Sequence, residues 1–201
     1  MKLYYSPAAC SLVSHIILRE TGLPFSLHKV DLATHSLADG SDYYEISAKG
    51  QVPILELADG QRLSEGPIIA QYLAEQAQHS SLLPAVGTLA RYRVLEWQNY
   101  ITSELHKSFS VLFNPAIGSD SKMIIRTALR KKLAWVSTQL EGKTFLTGTD
   151  FSVSDAYLFV VCGWAKFVDL KIDDLMPLQH FLTSVKQRPQ VAAALQAEAA
   201  L

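Results

Sequence analysis

The sequence is poor in cysteine and in charge. It has 201 residues but only two cysteines, Cys10 and Cys162, too few for the disulfide framework of a small secreted protein. Charged residues make up 18% of the chain and the formal net charge is −1, so no broad basic surface predicts nucleic-acid binding. The longest apolar run, 156–165, is far shorter than the roughly 20 residues that cross a bilayer. With no signal peptide recognisable, these absences predict a cytoplasmic protein without membrane or nucleic-acid partners.

The chain changes character near residue 80. Hydrophobic residues make up 49% of the sequence, enough for one large or two small cores. Before residue 80 short β-like runs alternate with helical patterns, which predicts a βαβ unit, and Asp59-Gly60 predicts a β-hairpin turn. After Pro84 only helical periodicity remains. The predicted fold class is therefore α/β plus all-α, with domains over 1–80 and 87–201. The predicted elements of the first domain are strands 2–5, 25–31, 52–57 and 61–63 and helices 10–21 and 67–76.

Two positions in the first half could carry chemistry. Cys10 follows a strand and a Pro7 turn and opens a predicted helix, where free N–H groups and the helix dipole favour a thiolate. The alternative is a small buried hydrophobic residue, as most free cysteines are. Val52-Pro53 opens a predicted strand; a cis proline there would expose the Val52 backbone to a peptide-like ligand, whereas an ordinary trans proline would not.

Helix starts provide the other local signals. Pro67 suits the first position of a helix, so the N–H groups around Gly66 could hold a carboxylate and Glu65 an ammonium, unless Glu65 merely complements the helix dipole. In the second half Ser152 and Asp155 are spaced as a capping pair, which is a structural role. A long helix over 87–113 is predicted from a core stripe of Val94, Trp97, Ile101, Leu105 and Leu112, with a polar stripe of Tyr92, Glu96, Asn99, Ser103 and His106.

Several motifs, taken in order, resemble those of a bacterial beta-class glutathione transferase. The resemblance covers essentially the whole chain, and the pairing of Cys10 with His106 is specific to the beta class. It implies a thioredoxin-like N-terminal domain that binds glutathione and an all-helical C-terminal domain that supplies the pocket for an electrophile. The motifs are YSPAACS at 5–11, KGQVP at 49–53, LSEG at 63–66, AQYL at 70–73, YRVLEW at 92–97, ELHK at 104–107 and SVSDAY at 152–157.

The resemblance also implies roles for individual residues. Val52 would pair through its backbone with the cysteinyl part of glutathione, while Glu65 and the Gly66 backbone would hold the γ-glutamyl head group. Cys10 would lie beside the glutathione sulfur and His106 would reach the same place from the second domain. Asn99 and Ser103 match further glutathione contacts, within one subunit or across the homodimer that the family forms. The expected electrophile pocket is lined by Tyr5, Phe109, Phe113 and Trp164.

Two residues depart from the family pattern. Gly66 stands where many transferases have serine, which removes a hydroxyl from the carboxylate contact. His35 stands where beta-class members often have lysine to meet the glycine carboxylate of glutathione. Because a histidine loses its charge in the physiological pH range, we expect glutathione affinity to weaken as the pH rises from about 6 to 8.

The implied reaction is conjugation, a detoxification activity. The helix N-terminus at Cys10 and the imidazole of His106 would stabilise the glutathione thiolate, which attacks an electrophilic carbon. Alternatively, Cys10 could form a mixed disulfide with glutathione and support disulfide exchange or peroxide reduction. A different class of function is a non-catalytic carrier of hydrophobic ligands or a partner-binding module. The remaining histidines show no metal-ligand spacing, so no metal is expected.

Overall fold

The structure, a computed structural model, describes residues 1–200 and divides into two compact units. The first unit comprises Met1–Ser80 together with the C-terminal residues from Arg188 onward, and the second comprises Ser81–Gln187. The sequence placed the last helix in a helical domain over 87–201. In the structure this helix belongs to the first unit, because its buried face packs on the first helix of the chain.

The first unit is built on a five-stranded mixed sheet. Its strands are β1 (Lys2–Tyr5), β2 (Ser26–Asp31), β3 (Ser36–Leu37), β4 (Ile54–Glu56) and β5 (Arg62–Ser64), in the order β3-β2-β1-β4-β5. Strands β1 and β2 are parallel and flank helix α1 (Leu12–Thr21), which confirms the predicted βαβ unit. The β4–β5 pair is antiparallel and turns at Gly60, whose φ of +83° suits glycine, as the Asp59-Gly60 signal predicted.

Helix α1 is the centre of the helical layer in this unit. Every residue from Leu12 to Leu18 is buried, and helices α2 (Gly66–Gln76) and α8 (Pro189–Ala200) both pack against it. At the α1–α8 contact Arg188 donates two hydrogen bonds to the Glu20 carboxylate, at 2.8 and 2.9 Å. A helix buried along its whole length needs cover on more than one side, and α8 supplies part of it.

The second unit is helical. Residues 81–187 contain no strand, and their helices are α3 (Leu89–Tyr100), α4 (Lys107–Phe113), α5 (Ser119–Gln139), α6 (Val153–Cys162) and α7 (Met176–Lys186). Helices α3 and α4 are joined without a break by a π-helical segment, Ile101–His106, so the predicted helix over 87–113 is confirmed except for this widened stretch. Its predicted core residues are buried apart from Trp97, which is half-buried.

Helix α6 begins with the predicted capping pair. The Asp155 carboxylate accepts the N–H of Ser152 at 2.9 Å, the Ser152 hydroxyl at 2.6 Å and the N–H of Leu146 at 2.8 Å. Burial raises the pKa of Asp155 to about 6 against the opposing effect of these hydrogen bonds. The start of α6 is thus fixed by a fully buried polar cluster.

Element ends differ from the sequence prediction by one or two residues. Helix α1 begins at Leu12 rather than Cys10, because the chain from 9 to 12 forms turns before the helix starts. The two-residue strand β3 was not predicted; it is too short to show an alternating pattern. Within residues 1–200, no helix has both the length and the apolar character needed to cross a membrane.

Candidate functional site

A loop over residues 49–53, which precedes β4, organises the candidate site of the first unit. Its Val52–Pro53 peptide bond is cis, one of the two alternatives that the sequence left open. The carbonyl of Gln51 accepts hydrogen bonds from the hydroxyls of Tyr43, at 2.9 Å, and Ser47, at 3.3 Å. Tyr43 is fully buried, and burial raises the pKa of its hydroxyl. The loop is therefore held from beneath by side chains that fix its backbone.

Cys10 contacts this loop directly. Its thiol donates a hydrogen bond to the Val52 carbonyl over an Sγ–O distance of 3.2 Å. Cys10 lies in the turn before α1, not within the helix, and its side chain is partly exposed. The sequence predicted that helix N–H groups would favour a thiolate here. That remains a prediction, and the structure adds that the thiol lies within hydrogen-bond distance of a carbonyl oxygen.

His35 packs over the glycine of the same loop. Its ring lies 4.6 Å from that of Tyr44, measured between centroids, and a Cβ added at Gly50 would come within 2.9 Å of the His35 ring. Gly50 also has a φ of +61°, so only glycine suits this position. The Nδ1 atom of His35 is buried and has no hydrogen-bond partner among residues 1–200.

Glu65 and Gly66 adjoin the loop from the start of α2. A Cβ on Gly66 would lie 3.8 Å from Pro53, an ordinary contact. Glu65 has a φ of +70°, a conformation that is strained for a side chain other than glycine and that clusters at functional sites. Its exposed carboxylate pairs with Lys49 at 2.6 Å. A ligand ammonium would thus share Glu65 with Lys49.

One group that supports the site was missed from the sequence. Glu198 of α8 accepts the N–H of Ala8, two residues before Cys10, at 3.1 Å and lies 3.0 Å from Nδ1 of buried His15. Arg19 donates to Nε2 of His15 at 2.9 Å, and arginine is only a donor, so His15 is neutral and donates from Nδ1 to Glu198. The link spans 190 positions, and no local pattern in the sequence indicates it.

The π-helical segment shapes the candidate site of the second unit. Asn99 and Ser103 are exposed, and the Ser103 hydroxyl donates to the Asn99 carbonyl at 3.0 Å. A regular helix would place His106 on the same face as Asn99. A π-helical turn holds more residues than an α-helical one, and in this segment His106 is partly buried whereas Asn99 and Ser103 are exposed. Such segments are frequent at functional sites.

His106 belongs to a cluster of aromatic side chains. Its Nδ1 lies 2.6 Å from the hydroxyl of Tyr157, and its ring packs edge-on against Trp164 with centroids 4.9 Å apart. Phe109 and Phe113 also make edge contacts with Trp164, at 5.9 and 6.0 Å. Phe113 is 46% exposed and Trp164 is 7% exposed, whereas Phe109 has no exposed surface. Tyr157 was not singled out from the sequence; the signal available was its place in the SVSDAY motif.

Tyr5, predicted to line the electrophile pocket, is fully buried in the first unit. Burial is also the main cause that raises the pKa of its hydroxyl, and the Glu198 carboxylate adds to it. A side chain without exposed surface does not touch a ligand directly. Tyr5 and Phe109 therefore support surface residues instead of forming the surface themselves.

The structure thus gathers the predicted site residues into two groups. Among residues 1–200 no group of three or more histidine, cysteine, aspartate or glutamate side chains could hold a metal ion. Asn99 and Ser103 lie on the helix that carries His106, one to two turns earlier. The first group, on the 49–53 loop, comprises Cys10, His35, Val52, Glu65 and Gly66, and the second comprises His106, Phe109, Phe113 and Trp164.

Comparison with known families finds two matches that together cover most of the chain. Residues 9–76 match the family model for the glutathione S-transferase N-terminal domain, and residues 76–197 match that for the glutathione S-transferase C-terminal domain. The chain is also 45% identical over 198 residues to glutathione S-transferase GstA of Escherichia coli O157:H7, with 98% of each chain covered. It is 34% identical to glutathione S-transferase GST-4.5 of Xanthomonas campestris, again with 98% of each chain covered.

Solved structures give the same result. A ternary complex of BphK, described as a bacterial glutathione transferase, has a TM-score of 0.96 and 49% identity, with 99% of this chain and all of that chain covered. A beta-class glutathione S-transferase from Sphingomonas chungbukensis has a TM-score of 0.95 and 41% identity over the full length of both chains. A sphingomonad glutathione S-transferase solved with glutathione matches equally well, at a TM-score of 0.95.

Proposed function

The chain belongs to the glutathione S-transferase family, and from this we propose how its residues bind glutathione and activate it. The protein is a glutathione transferase that conjugates the glutathione thiolate to electrophiles. The observation that carries the assignment of residues is the convergence of Cys10, Val52 and Glu65 on the 49–53 loop. Residues from three separate parts of the first unit therefore meet at this loop.

Glutathione is held mainly by backbone groups of the first unit. The Val52 N–H and C=O pair with the cysteinyl residue, as an edge strand pairs with a peptide. The Gly66 N–H at the start of α2 binds the γ-glutamyl carboxylate, since Pro67 has no N–H to offer and the N–H groups of Ile68 and Ile69 bond to the Glu65 carbonyl. Glu65 binds the γ-glutamyl ammonium, and Nε2 of His35 meets the glycine carboxylate.

Cys10 and His106 act on the glutathione sulfur. A thiol of ordinary acidity is only a few per cent ionised at pH 7, so donors that stabilise the thiolate accelerate the reaction. His106 is the donor, because its imidazole is held by Tyr157 and Trp164. Asn99 and Ser103 add glutathione contacts, within one subunit or across a homodimer. Phe113 and Trp164 form the apolar surface for a hydrophobic electrophile, with Phe109 beneath them.

A second activity is favoured by the position of the Cys10 thiol. It lies 3.2 Å from the Val52 carbonyl, the atom proposed to pair with the cysteinyl residue. As a thiolate, Cys10 can attack the glutathionyl sulfur of a mixed disulfide between glutathione and a substrate thiol, forming Cys10–S–S–glutathione and releasing that thiolate. A second glutathione thiolate then releases Cys10 and leaves as oxidised glutathione.

A pair of cysteine variants separates the two activities. In Cys10→Ala, conjugation to a dinitrohalobenzene should largely survive, whereas reduction of a glutathionylated disulfide should vanish. Cys162→Ala is the matched control, since that thiol is buried and burial raises its pKa to about 12; it should keep both activities. Loss of conjugation in Cys10→Ala would make Cys10 essential for thiol activation, contrary to the proposal.

The wild-type protein distinguishes an enzyme from a carrier. It should be retained on immobilised glutathione and should turn over at least one electrophile from a panel of halogenated aromatics, epoxides and peroxides. Retention without turnover on the whole panel would favour a carrier of hydrophobic ligands. We expect the protein to act as a homodimer in the cytoplasm, which its mass in solution and cell fractionation would check.

A further inference from the structure

The hydrogen bond between His106 and Tyr157 is not explained by the proposed function alone. The Nδ1 atom of His106 is 2.6 Å from the Tyr157 hydroxyl, and Tyr157 is only 3% exposed. The two rings are nearly perpendicular, with an interplanar angle of 84°. Trp164 packs edge-on against the same imidazole. The ring of His106 is therefore held by two side chains of the second unit.

The π-helical segment that carries His106 is also held by side chains. His106 ends the π-helical segment, where the carbonyl of Glu104 accepts the Ser108 hydroxyl at 2.6 Å and the Lys132 ammonium at 3.2 Å. Lys132 also pairs with the Glu104 carboxylate at 2.7 Å. Helix α5 thus fixes the widened turn from the side. Rotation of the imidazole would break its hydrogen bond with Tyr157.

Tyr157 itself lies on a fixed element. It is one turn from the start of α6, where Asp155 accepts hydrogen bonds from Ser152 and Leu146. All of these groups are buried. The hydroxyl of Tyr157 consequently has a defined position relative to Nδ1 of His106.

We propose that Tyr157 is a positioning residue that sets the tautomer of His106. A neutral imidazole has one donor nitrogen and one acceptor nitrogen, and a phenol keeps its proton at neutral pH. In this proposal the Tyr157 hydroxyl donates to Nδ1, which lies 2.6 Å away, and the proton of the neutral imidazole is then on Nε2. This inference rests on the proposed function, in which His106 is a hydrogen-bond donor to the glutathione thiolate.

The tautomer decides whether His106 stabilises or destabilises the glutathione thiolate. An Nε2–H group stabilises a thiolate, whereas the opposite tautomer would present a lone pair at Nε2 and repel it. With the opposite tautomer, the imidazole of His106 would thus destabilise the thiolate from the same position. Tyr157 acts through this choice and needs no contact with glutathione.

The experiment measures the tautomer and the kinetics separately. Histidine labelled with ¹⁵N is observed by long-range ¹H–¹⁵N correlation at pH 7.5, with His106→Gln used to assign the signal. We expect the Nε2–H tautomer in the wild type and a loss of this preference in Tyr157→Phe. The kcat for conjugation should fall about tenfold, the equivalent of one hydrogen bond, with the KM for glutathione within about twofold of the wild type.

Tyr100→Phe is the matched control, because it removes a tyrosine hydroxyl from the same unit at a ring that packs on Trp97 and Trp135. It should change neither the tautomer nor kcat. An Nδ1–H tautomer in the wild type would overturn the inference without any variant, as would an unchanged tautomer or kcat in Tyr157→Phe. If His106→Ala keeps full turnover, the proposed role of His106 fails instead, whatever the tautomer.

Discussion

The two candidate sites are built in different ways. In the first unit the 49–53 loop presents backbone groups, and its shape depends on Gly50, on a strained Glu65 and on side chains buried beneath. In the second unit a helix presents the side chain of His106, whose position depends on a widened helical turn and on the aromatic rings around it. In the proposed mechanism, recognition in the first unit depends on backbone conformation and chemistry in the second depends on side-chain packing.

This difference indicates which substitutions each of the two sites tolerates. Backbone groups are the same for every residue type. We therefore expect a loop that binds its ligand through them to tolerate different residues at its rim, such as Gly66 and His35. The conformation of the loop is the sensitive property there. In the second unit the identity and orientation of single side chains are sensitive, because no backbone group can replace an imidazole.

The strongest effect is predicted for Asp155, which fixes the start of α6 and so supports the second site. Its folded-state pKa of about 6 exceeds the usual value, so the folded state binds this proton more tightly than the unfolded state. The protonated Asp155 side chain therefore adds about 3 kcal/mol to the free energy of unfolding below about pH 4. This contribution is lost as the pH rises through about 6. Denaturant unfolding of the wild type and Asp155→Asn from pH 4 to 7 measures the difference in slope. Parallel pH profiles would show that Asp155 does not titrate in this range.

The second effect tests the loop conformation at Gly50. In Gly50→Ala the added Cβ would meet the rings of Tyr44 and His35 at 2.8 and 2.9 Å, and the φ of +61° is unfavourable for alanine. We expect glutathione affinity, measured by calorimetry, to fall about 30-fold, or about 2 kcal/mol.

Gly60→Ala is the control for strain alone, since Gly60 also has a positive φ but no atom lies within 4 Å of an added Cβ. It should cost stability but leave glutathione affinity unchanged. Equal loss of affinity in both variants would mean that backbone strain, and not the packing over the loop, explains the effect.

The third effect tests the helical turn that carries His106. Lys132→Met removes the ammonium that binds the carbonyl and carboxylate of Glu104. We expect kcat to fall about tenfold while the affinity for glutathione stays unchanged, because the turn becomes free to relax toward a regular helix. The neighbouring exposed Lys131→Met should have no effect on steady-state kinetics. A loss of glutathione affinity in Lys132→Met would contradict the division between recognition and chemistry.

The fourth effect is a gain at the rim of the loop. Gly66→Ser adds a hydroxyl at the start of α2, and the structure has room for it, with Pro53 3.8 Å from the added Cβ. We expect glutathione to bind about fivefold more tightly, since the hydroxyl can donate to the γ-glutamyl carboxylate. Gly66→Ala supplies the same Cβ without the hydroxyl and should not reproduce the gain.

The smallest effect is the pH dependence of glutathione binding at His35. Protonated histidine binds a carboxylate more strongly, so wild-type affinity should weaken about threefold from pH 6 to 8. His35→Lys keeps its charge throughout this range and should show a flatter profile by calorimetry. The same profile in both proteins would exclude His35 as a carboxylate contact.

Much of this could be predicted because the signals are local. The βαβ unit, the Gly60 hairpin and the Ser152–Asp155 capping pair each depend on residues within a few positions, whereas the local sequence left the isomer of the Val52–Pro53 bond open. The role of Glu198 could not be predicted, because its partners Ala8 and His15 are 190 and 183 positions away. The π-helical segment was also missed, since its hydrophobic spacing fits a regular helix.

Sequence motifs in a fixed order were enough to predict the family and the residue types available for chemistry at Cys10, Glu65 and His106. Periodicity and turn residues, which act over short distances, were enough to predict most of the helices and strands. Only the tertiary structure decided that the Cys10 thiol donates to a carbonyl, that α8 belongs to the first unit and that Tyr157 holds His106. Hydrogen bonds between distant segments form where packing brings their atoms together, and that geometry is a property of the folded chain.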